Sequence, residues 1–254
     1  MNQSTGRRTL LLTGAAGRLG TAIIELAGQQ LDIIALIHEN GLHAGQEGTR
    51  RFNTVTAEFS SSPVRSLKCD LTSQEQITFS IESLTSLGYK INYVINAAGD
   101  VRFLGQTTDA MMLVDEARRQ FEVNLFAPAL ICSALFHFQW KNIPVVEQEV
   151  SILHISSLSG VQVFSGSGQG FYAASKAAAN MLTMHMAFEY GRYAIRANAL
   201  APNNFPGIVD TNVVASNALR ILDSNASGQI FKIGEDAYKG ASSTLKSSQN
   251  GAEP

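Results

Sequence analysis

The chain has 254 residues, 45% of them hydrophobic and 16% charged, a composition typical of a globular protein with a sizeable core. Its net charge of −2 excludes the strongly basic surface that nucleic-acid or anionic-membrane binding needs. No apolar run of sequence approaches the ~20 residues of a membrane span, the stretch Met1–Arg8 is neither a signal nor a transit peptide, and Cys69 and Cys132 have no disulfide or metal spacing. We therefore expect a cytoplasmic protein without a metal and without nucleic-acid or membrane partners.

The chain begins with a predicted βαβ unit around a glycine-rich turn. The apolar runs Thr9–Thr13 and Ile33–Ile37 predict strands, and Thr21–Gln30 between them has helical periodicity. The first strand leads into the sequence GAAGRLG at 14–20. Glycines at such a turn let a pyrophosphate approach the backbone and the positive N-terminus of the helix. The unit predicts dinucleotide binding, although any tight turn also favours glycine.

Strands and helices alternate along the rest of the chain. Further strands are predicted at or around Leu67–Leu71, Asn92–Asn96, Val150–Ile155, Ala194–Leu200 and Gln229–Ile233, and further helices at Thr72–Leu87, at Asp109–Phe138 with a break or bend near Pro128, and from Tyr172 to Tyr190. This alternation predicts an α/β fold, a doubly wound parallel sheet of the Rossmann type in one domain. The domain is expected to span 1–239, with a short substrate loop at about 202–227, and 240–254 to form a flexible tail.

The segment Tyr172-Ala-Ala-Ser-Lys176 carries the candidate chemistry. Residues four apart share one face of a helix. An ammonium fixed near a phenol favours the phenolate and lowers the pKa of tyrosine from its ordinary value near ~10, which makes the phenol a usable general acid or base. A tyrosine and a lysine at this spacing also occur on many solvated helices, so the surrounding motifs decide the interpretation.

Those motifs resemble the short-chain dehydrogenase/reductase family over roughly Thr9–Ile233. They are TG…G…G at 13–20, Asp70, NAAG at 96–99, Asn124, ISS at 155–157, the Tyr172/Lys176 pair and RANA at 196–199. The glycine spacing is that of the family's longer, epimerase-like branch and its GAAGRLG turn resembles pteridine reductases, whereas the tyrosine helix and the length resemble the shorter reductase branch, which we favour.

The resemblance implies a mechanism and a set of site residues. Tyr172 would protonate a carbonyl oxygen as hydride arrives from a nicotinamide, and Lys176 would hold the ribose hydroxyls and depress the tyrosine pKa. Ser157 would donate a hydrogen bond to the same oxygen, and Asn124 would support a water that relays protons. The implied cofactor site comprises Gly14, Ala16, Gly17, Arg18, Leu19, Gly20, His38, Asp70, Leu71, Asn96, Ala97, Ala98, Gly99, Tyr172, Lys176 and Pro202.

The active-site serine is open to two assignments. The ISS motif selects Ser157, whereas counting back from Tyr172 by the family's usual interval selects Ser159. We favour Ser157, because a residue at the end of a strand is fixed while loop length varies freely.

The residues around the adenosine side of the site bear on the cofactor. Arg18 stands where many NADPH-using members carry a basic residue, and a guanidinium can pair with a 2′-phosphate. His38 stands where NAD-preferring members carry an acid, which argues against NADH. Glu39 argues the other way, and Arg50 or Arg51 could compensate for it. We expect NADP(H) in preference to NAD(H).

The largest departure from the family follows the predicted strand Ala194–Leu200. Gly228 comes only 26 positions after Pro202, so much of the usual helical lid is missing, and Thr211 is the candidate for the threonine that touches the cofactor amide. A small lid excludes less water and selects substrates less strictly.

We therefore expect a carbonyl reductase for a small or carrier-linked substrate, assembled as a homodimer or homotetramer through apolar helix faces. The alternatives are a cofactor-binding scaffold or regulatory protein that has lost turnover, and an epimerase or dehydratase that uses the same tyrosine.

Overall fold

A computed structural model describes residues 7–37, 57–59, 62–164 and 168–234. Its strands are β1 (Thr9–Thr13), β2 (Asp32–Ile37), β3 (Ala57–Phe59), β4 (Ser62–Lys68), β5 (Ile91–Asn96), β6 (Ser151–Ile155), β7 (Arg196–Pro202) and β8 (Ile230–Ile233). They form one sheet in the order β3-β4-β2-β1-β5-β6-β7-β8. All neighbours pair in parallel except β3, which runs antiparallel to β4 at the edge.

The helices are α1 (Arg18–Ala27), α2 (Gln74–Ser86), α3 (Ala110–Phe121), α4 (Ala127–Phe138), α5 (Gly170–Gly191) and α6 (Thr211–Asp223). The apolar residues of α1 and α6 pack on one face of the sheet, and those of α2, α4 and α5 pack on the other. Helices on both faces of a parallel sheet confirm the predicted doubly wound, Rossmann-type fold.

The central strands explain why the apolar runs of the sequence are continuous rather than alternating. In β1, Leu10 and Leu12 belong to the α1/α6 side of the core, and Leu11 belongs to the α2/α4/α5 side. All three are fully buried, and burying one leucine side chain stabilises a fold by roughly 1.5–3 kcal/mol relative to exposure. A strand covered on both faces must therefore be apolar at every position.

Two elements were not predicted. The edge strand β3 has only three residues and pairs antiparallel with β4, so the sequence contains no apolar run that would predict it. Helix α6 lies inside the segment predicted as a substrate loop at about 202–227. Its buried residues are Val214, Ala215, Ala218, Ile221 and Leu222. Their helical spacing lets α6 pack on α1 as part of the core, and the loop proper is restricted to Asn203–Asp210.

The long helical stretch before β6 is irregular close to Pro128, as predicted, but it bends into a π-helical turn and does not end there. Helix α3 continues through a π-helical turn, Glu122–Phe126, into α4. Pro128 lies in the first turn of α4. Proline is tolerated in the first turn of a helix, where its missing N–H removes little. The irregularity is therefore the π turn, a feature often found at functional sites, and it contains Asn124.

This stretch also corrects an expectation about membranes. The helical run Thr107–Asn142 is long and apolar enough to cross a membrane by length and composition alone. A core helix of a soluble protein passes the same test. Ile131, Cys132 and Leu135 are fully buried and belong to the core on the α2/α4/α5 side. The buried face of α4 is therefore part of the core of the domain, whereas 39% of the apolar window as a whole is buried.

Candidate active site

The glycine turn and the end of β5 meet closely at the carboxyl edge of the sheet. Gly14 has a φ of +67°, and a Cβ placed on it would lie 2.6 Å from the backbone nitrogen of Ala98. That nitrogen donates a hydrogen bond to Thr13 Oγ1 at 3.0 Å. A Cβ on Gly20 would lie 2.3 Å from the carbonyl oxygen of Gly14. At both positions backbone packs directly on backbone, so only glycine fits, and this tight turn, the cradle, ends at the N-terminus of α1, where a pyrophosphate can bind.

The other predicted cofactor residues differ in their exposure and in their hydrogen bonds. Arg18 is exposed and has no ion-pair partner within the described part of the chain. The side chain of Leu19 is buried in the core, so only its backbone is left for a ligand. Asp70 follows β4 and accepts two hydrogen bonds from Thr72, at 2.9 and 2.8 Å. His38, Glu39, Arg50 and Arg51 lie outside the described residues.

The sequence NAAG at 96–99 combines a buried amide with an open glycine. The side chain of Asn96 is buried and donates to Cys132 Sγ at 3.9 Å. A Cβ placed on Gly99 would lie 3.4 Å both from Asn124 Oδ1 and from Lys176 Nζ. Gly99 itself is exposed, so the space in front of Lys176 is accessible from the cradle. Pro202, which ends β7, is buried.

Both the oxygen and the nitrogen of the Asn124 side-chain amide form hydrogen bonds with neighbouring segments of the protein. Its Nδ2 donates to the carbonyl oxygen of Asp100 at 2.9 Å and to Ser175 Oγ at 3.0 Å, and its Oδ1 accepts from the backbone N–H of Asp100 at 2.8 Å. The π turn therefore joins the loop after β5 to α5 directly in front of the tyrosine and the lysine.

Lys176 is a buried ammonium tied to the end of β6. Its side chain is on α5, the residue is 4% exposed, and Nζ donates to the carbonyl oxygen of Ile155 at 2.9 Å. Burial lowers the pKa of Lys176 to about 8. An ammonium has three hydrogens to donate, so this contact leaves two for a ligand.

Tyr172 lies one turn before Lys176, with its ring centroid 5.9 Å from Lys176 Nζ. Burial raises the pKa of the phenol, and a hydrogen bond with Ser157 lowers it by less. The expectation that Lys176 lowers the pKa of Tyr172 below its ordinary value is therefore wrong for the protein without ligand. The physical reason is that the tyrosine is nearly buried, while the lysine directs a hydrogen bond to the backbone of Ile155.

The two candidate serines have different partners. Ser157 is near enough to Tyr172 to lower the pKa of the phenol, and its Oγ accepts from the backbone N–H of Ser159 at 3.1 Å. Ser159 Oγ donates instead to Gln169 Oε1 at 2.6 Å. The structure thus brings Ser157, and not Ser159, to the phenol of Tyr172.

Two residues near Tyr172, Phe103 and Gln120, were not predicted from the sequence to belong to the site. The ring of Phe103 is 55% exposed, and its centroid lies 5.9 Å from that of Tyr172. The buried Gln120 donates to the carbonyl oxygens of Asp100 and Arg102 at 3.2 and 2.9 Å, which fixes the loop that carries Phe103. Gln120 precedes Asn124 by one helical turn, and a second amide on that face was the available signal.

His154 is a buried titratable group that sequence reasoning also missed. Its Nδ1 is 2.8 Å from Thr183 Oγ1, and the Thr183 hydroxyl donates to the carbonyl oxygen of Ala179 at 2.7 Å. A hydroxyl has one hydrogen, so the Nδ1 of His154 carries the proton, while its buried Nε2 has no partner. Burial and the charge of Lys176 lower the pKa of His154 to about 4.

Comparison with known proteins gives consistent matches over most of the chain. The family model for short chain dehydrogenase matches residues 8–221. A tropinone reductase homologue of Arabidopsis thaliana is 32% identical over 200 residues, covering 77% of this chain and 69% of the relative. A 3-oxoacyl-[acyl-carrier-protein] reductase of Bos taurus is 26% identical over 214 residues, covering 84% and 80%.

Solved structures match the fold over a similar extent. A short-chain dehydrogenase/reductase family oxidoreductase from Brucella ovis, in complex with a partially ordered NAD, is 26% identical with a TM-score of 0.66, covering 89% of this chain and 99% of that one. A short-chain dehydrogenase from Streptomyces avermitilis matches with a TM-score of 0.73 at 20% identity, covering 97% and 94%, and supports the fold alone.

The buried His154 predicts a pH-dependent loss of stability. Its pKa is about 4 in the folded protein and near ~6.5 in the unfolded chain. Between these values the unfolded state binds the proton and the folded state does not, so stability is lost as the pH falls. Urea unfolding at pH 7 and pH 4.5 should show the wild type losing about 2–3 kcal/mol more than His154→Gln.

The control is His137→Gln, which replaces an exposed histidine on α4 and should lose stability as the wild type does. Equal losses in the wild type and His154→Gln would contradict the assignment of a neutral, buried imidazole.

Proposed function

The chain belongs to the short-chain dehydrogenase/reductase family, and we propose that it is an NADPH-dependent reductase of a small or carrier-linked carbonyl compound. The observation that carries the proposal is the Tyr172 phenol, whose ring centroid lies 5.9 Å from Nζ of the buried Lys176 and whose pKa responds to the nearby Ser157. This places an acid, a neutral hydroxyl and a cation at one edge of the sheet, the set that carbonyl reduction needs.

The residues present fit a nicotinamide dinucleotide. The cradle at Gly14, Gly20 and Ala98 has backbone groups where a Cβ would clash, and the two free hydrogens of Lys176 Nζ suit ribose hydroxyls. When bound, the reduced cofactor supplies the hydride. Arg18, exposed beside the turn, would hold a 2′-phosphate, and this is our reason for preferring NADPH.

Tyr172 acts in this proposal as the proton donor. A tyrosine with its ordinary pKa near ~10 is protonated at neutral pH, and a protonated phenol can give its proton to the oxygen of a carbonyl as that oxygen gains charge. Ser157 donates a hydrogen bond to the same oxygen, and thereby stabilises the developing negative charge.

Lys176 and Asn124 support the tyrosine in different ways. Lys176 would donate to the ribose hydroxyls with the two hydrogens that its bond to Ile155 leaves unused. Asn124 has engaged its amide with Asp100 and Ser175, so its part in the proposal is to fix the loop and α5, and to hold through that loop the water by which the phenolate regains its proton.

The substrate class follows from what surrounds Tyr172. An exposed aromatic ring, Phe103, stands beside the phenol, and it suits the apolar body of a ketone. The loop Asn203–Asp210 is short and has no helix of its own, so in this proposal it covers little of the substrate. An open cleft admits a small molecule or the arm of a carrier, and the name of the bovine relative supports the second possibility.

We further propose that the protein is a cytoplasmic homodimer or homotetramer. The exposed apolar side chains on α5 include Phe188, which is 85% exposed, and Met181. Phe138 at the end of α4 is also exposed. Such helix faces call for a partner, and a second copy of the chain presents the same faces. Both cysteines are free and buried, which suits a reducing compartment.

The first test is Tyr172→Phe, which removes the proton donor and keeps the ring. We expect turnover of an aryl or acyl ketone to fall on the order of 10²–10⁴-fold, with the dissociation constant for NADPH within about twofold of the wild type. Steady-state kinetics and fluorescence titration measure the two quantities. The control is Tyr190→Phe on the same helix, and retained turnover in Tyr172→Phe would refute the assigned acid.

The second test is the cofactor preference. Fluorescence titrations should show NADPH binding at least tenfold tighter than NADH, about 1.4 kcal/mol. Arg18→Gln should weaken NADPH binding by about that factor and leave NADH binding unchanged, and Arg118→Gln on α3 is the matched control. A preference for NADH would contradict the role of Arg18. Binding of neither cofactor would favour the alternative of a scaffold protein.

The third test concerns assembly. Light scattering should give a dimer or tetramer for the wild type and a smaller species for Phe188→Glu, because a buried carboxylate without a partner is strongly unfavourable. Phe79→Glu is the control, since Phe79 is also exposed but lies on α2. A monomeric wild type would show that the exposed faces are not subunit contacts.

A further inference from the structure

We propose that Asn180 is a positioning residue for catalysis: it holds the 3₁₀ turn Leu158–Gly160 on α5 and thereby keeps Ser157 on the phenol of Tyr172. The inference rests on the proposed function, because Asn180 affects turnover only by positioning Ser157, whose role in the reaction belongs to that proposal. Asn180 lies on α5, one turn beyond Lys176, and is itself 4% exposed.

The turn lies directly on the backbone of α5. A Cβ placed on Gly160 would lie 2.7 Å from the carbonyl carbon of Lys176, 2.8 Å from its Cβ and 2.9 Å from the backbone nitrogen of Ala177. Only glycine allows this approach. This close contact therefore fixes the position of the turn on α5, next to Lys176.

Asn180 holds the turn in this position by a hydrogen bond. Its Nδ2 donates to the carbonyl oxygen of Gly160 at 3.2 Å. Its Oδ1 is buried without a partner, and an unsatisfied buried acceptor costs about 1–3 kcal/mol. An apolar residue at this position would avoid that cost. The amide is thus unfavourable for packing alone, and its single hydrogen bond is the one to the turn.

The position of Gly160 determines the position of Ser157. The backbone N–H of Gly160 donates to the carbonyl oxygen of Ser157 at 3.0 Å, and Ser157 Oγ accepts from the N–H of Ser159 at 3.1 Å. These bonds make the turn one rigid unit with Ser157 at its start.

Other links hold different parts of this segment. The N–H of Ser156 donates to the carbonyl oxygen of Leu200 at 2.7 Å and Ser159 Oγ donates to Gln169 Oε1 at 2.6 Å, whereas the bond from Ser156 Oγ to the carbonyl oxygen of Lys176 is long at 3.5 Å.

Loss of the Asn180 contact therefore frees the end of the turn and changes how Ser157 meets Tyr172. A displacement of about 1 Å in a catalytic group can reduce the rate by roughly 10²-fold. The cofactor cradle is formed by the turn after β1 and the end of β5, which Asn180 does not contact, so cofactor binding is not expected to change.

The test is a double-mutant cycle on the full-length enzyme with a ketone substrate. Asn180→Leu replaces the amide by a side chain of the same branched shape and number of heavy atoms and should lower kcat about 10–100-fold, with the dissociation constant for NADPH within twofold. In the Ser157→Ala background the same change should lower kcat less than twofold. A purely structural role would give the same fold-loss in both backgrounds and would overturn the proposal.

The control is Asn198→Leu. Asn198 is also a fully buried amide that donates to a backbone carbonyl, that of Ala226 at 2.7 Å, but it lies on β7. It should lower the unfolding midpoint and leave kcat within about twofold. Should Asn180→Leu fail to fold, Asn180→Ala enters the same cycle, and an unchanged kcat in either variant would overturn the proposal.

Crystal structures of the wild type and Asn180→Leu give a readout that needs no substrate. The hydrogen bond between Ser157 and the phenol of Tyr172 should be present in the first and lost in the second. If it persists, the positioning role is refuted. If it is lost while Ser157→Ala retains full turnover, the geometry is right and the proposed function of Ser157 is wrong.

Discussion

The hydrogen bond from Lys176 Nζ to the carbonyl oxygen of Ile155 is the contact on which the site depends. It joins α5 to the end of β6 at 2.9 Å, and so relates the helix that carries Tyr172 to the strand that leads to Ser157. A buried charge is costly unless its hydrogen-bonding capacity is used. The chain uses one of the three hydrogens of the ammonium, and a ligand with hydroxyl groups would use the rest. Hydrogen bonds from such a ligand to the two remaining hydrogens would stabilise the buried Lys176 ammonium and so contribute to binding.

Much of the fold and part of the site could be predicted because parallel strands impose simple rules. A strand covered on both faces is mostly apolar, so β1, β2 and β6 are visible as runs of Leu and Ile. Parallel strands end at the same edge, so residues that follow them come together. This rule selected Ser157 over Ser159, because Ser157 is tied to β6 while Ser159 lies in a loop of variable length. The partners observed for the two serines agree with that choice.

The rest depends on contacts that the order of residues does not reveal. Helix α6 is apolar on one side only and has polar neighbours, so its role in the core becomes visible only when α1 is opposite it. Phe103 follows no periodic pattern, and its place beside Tyr172 is set by Gln120, which holds the loop from another element. The pKa of Tyr172 is raised because the fold buries the phenol, whereas sequence spacing alone suggested the opposite direction.

The core changes character toward the carboxyl edge of the sheet. Near the middle of β1 the layers are purely apolar, as at Leu10 and Leu12, whereas at the ends of β5 and β6 they contain Asn96 and His154, each with a buried polar atom that has no partner. Asn96 and His154 are register partners on neighbouring strands, so both departures fall in one layer directly beneath the lysine. An unpaired buried acceptor costs stability, and a fold selected for stability alone would place apolar residues there. The layer next to the ligand edge therefore gives up packing energy for polar groups that join the strands to the helices, Asn96 to Cys132 on α4 and His154 to Thr183 on α5.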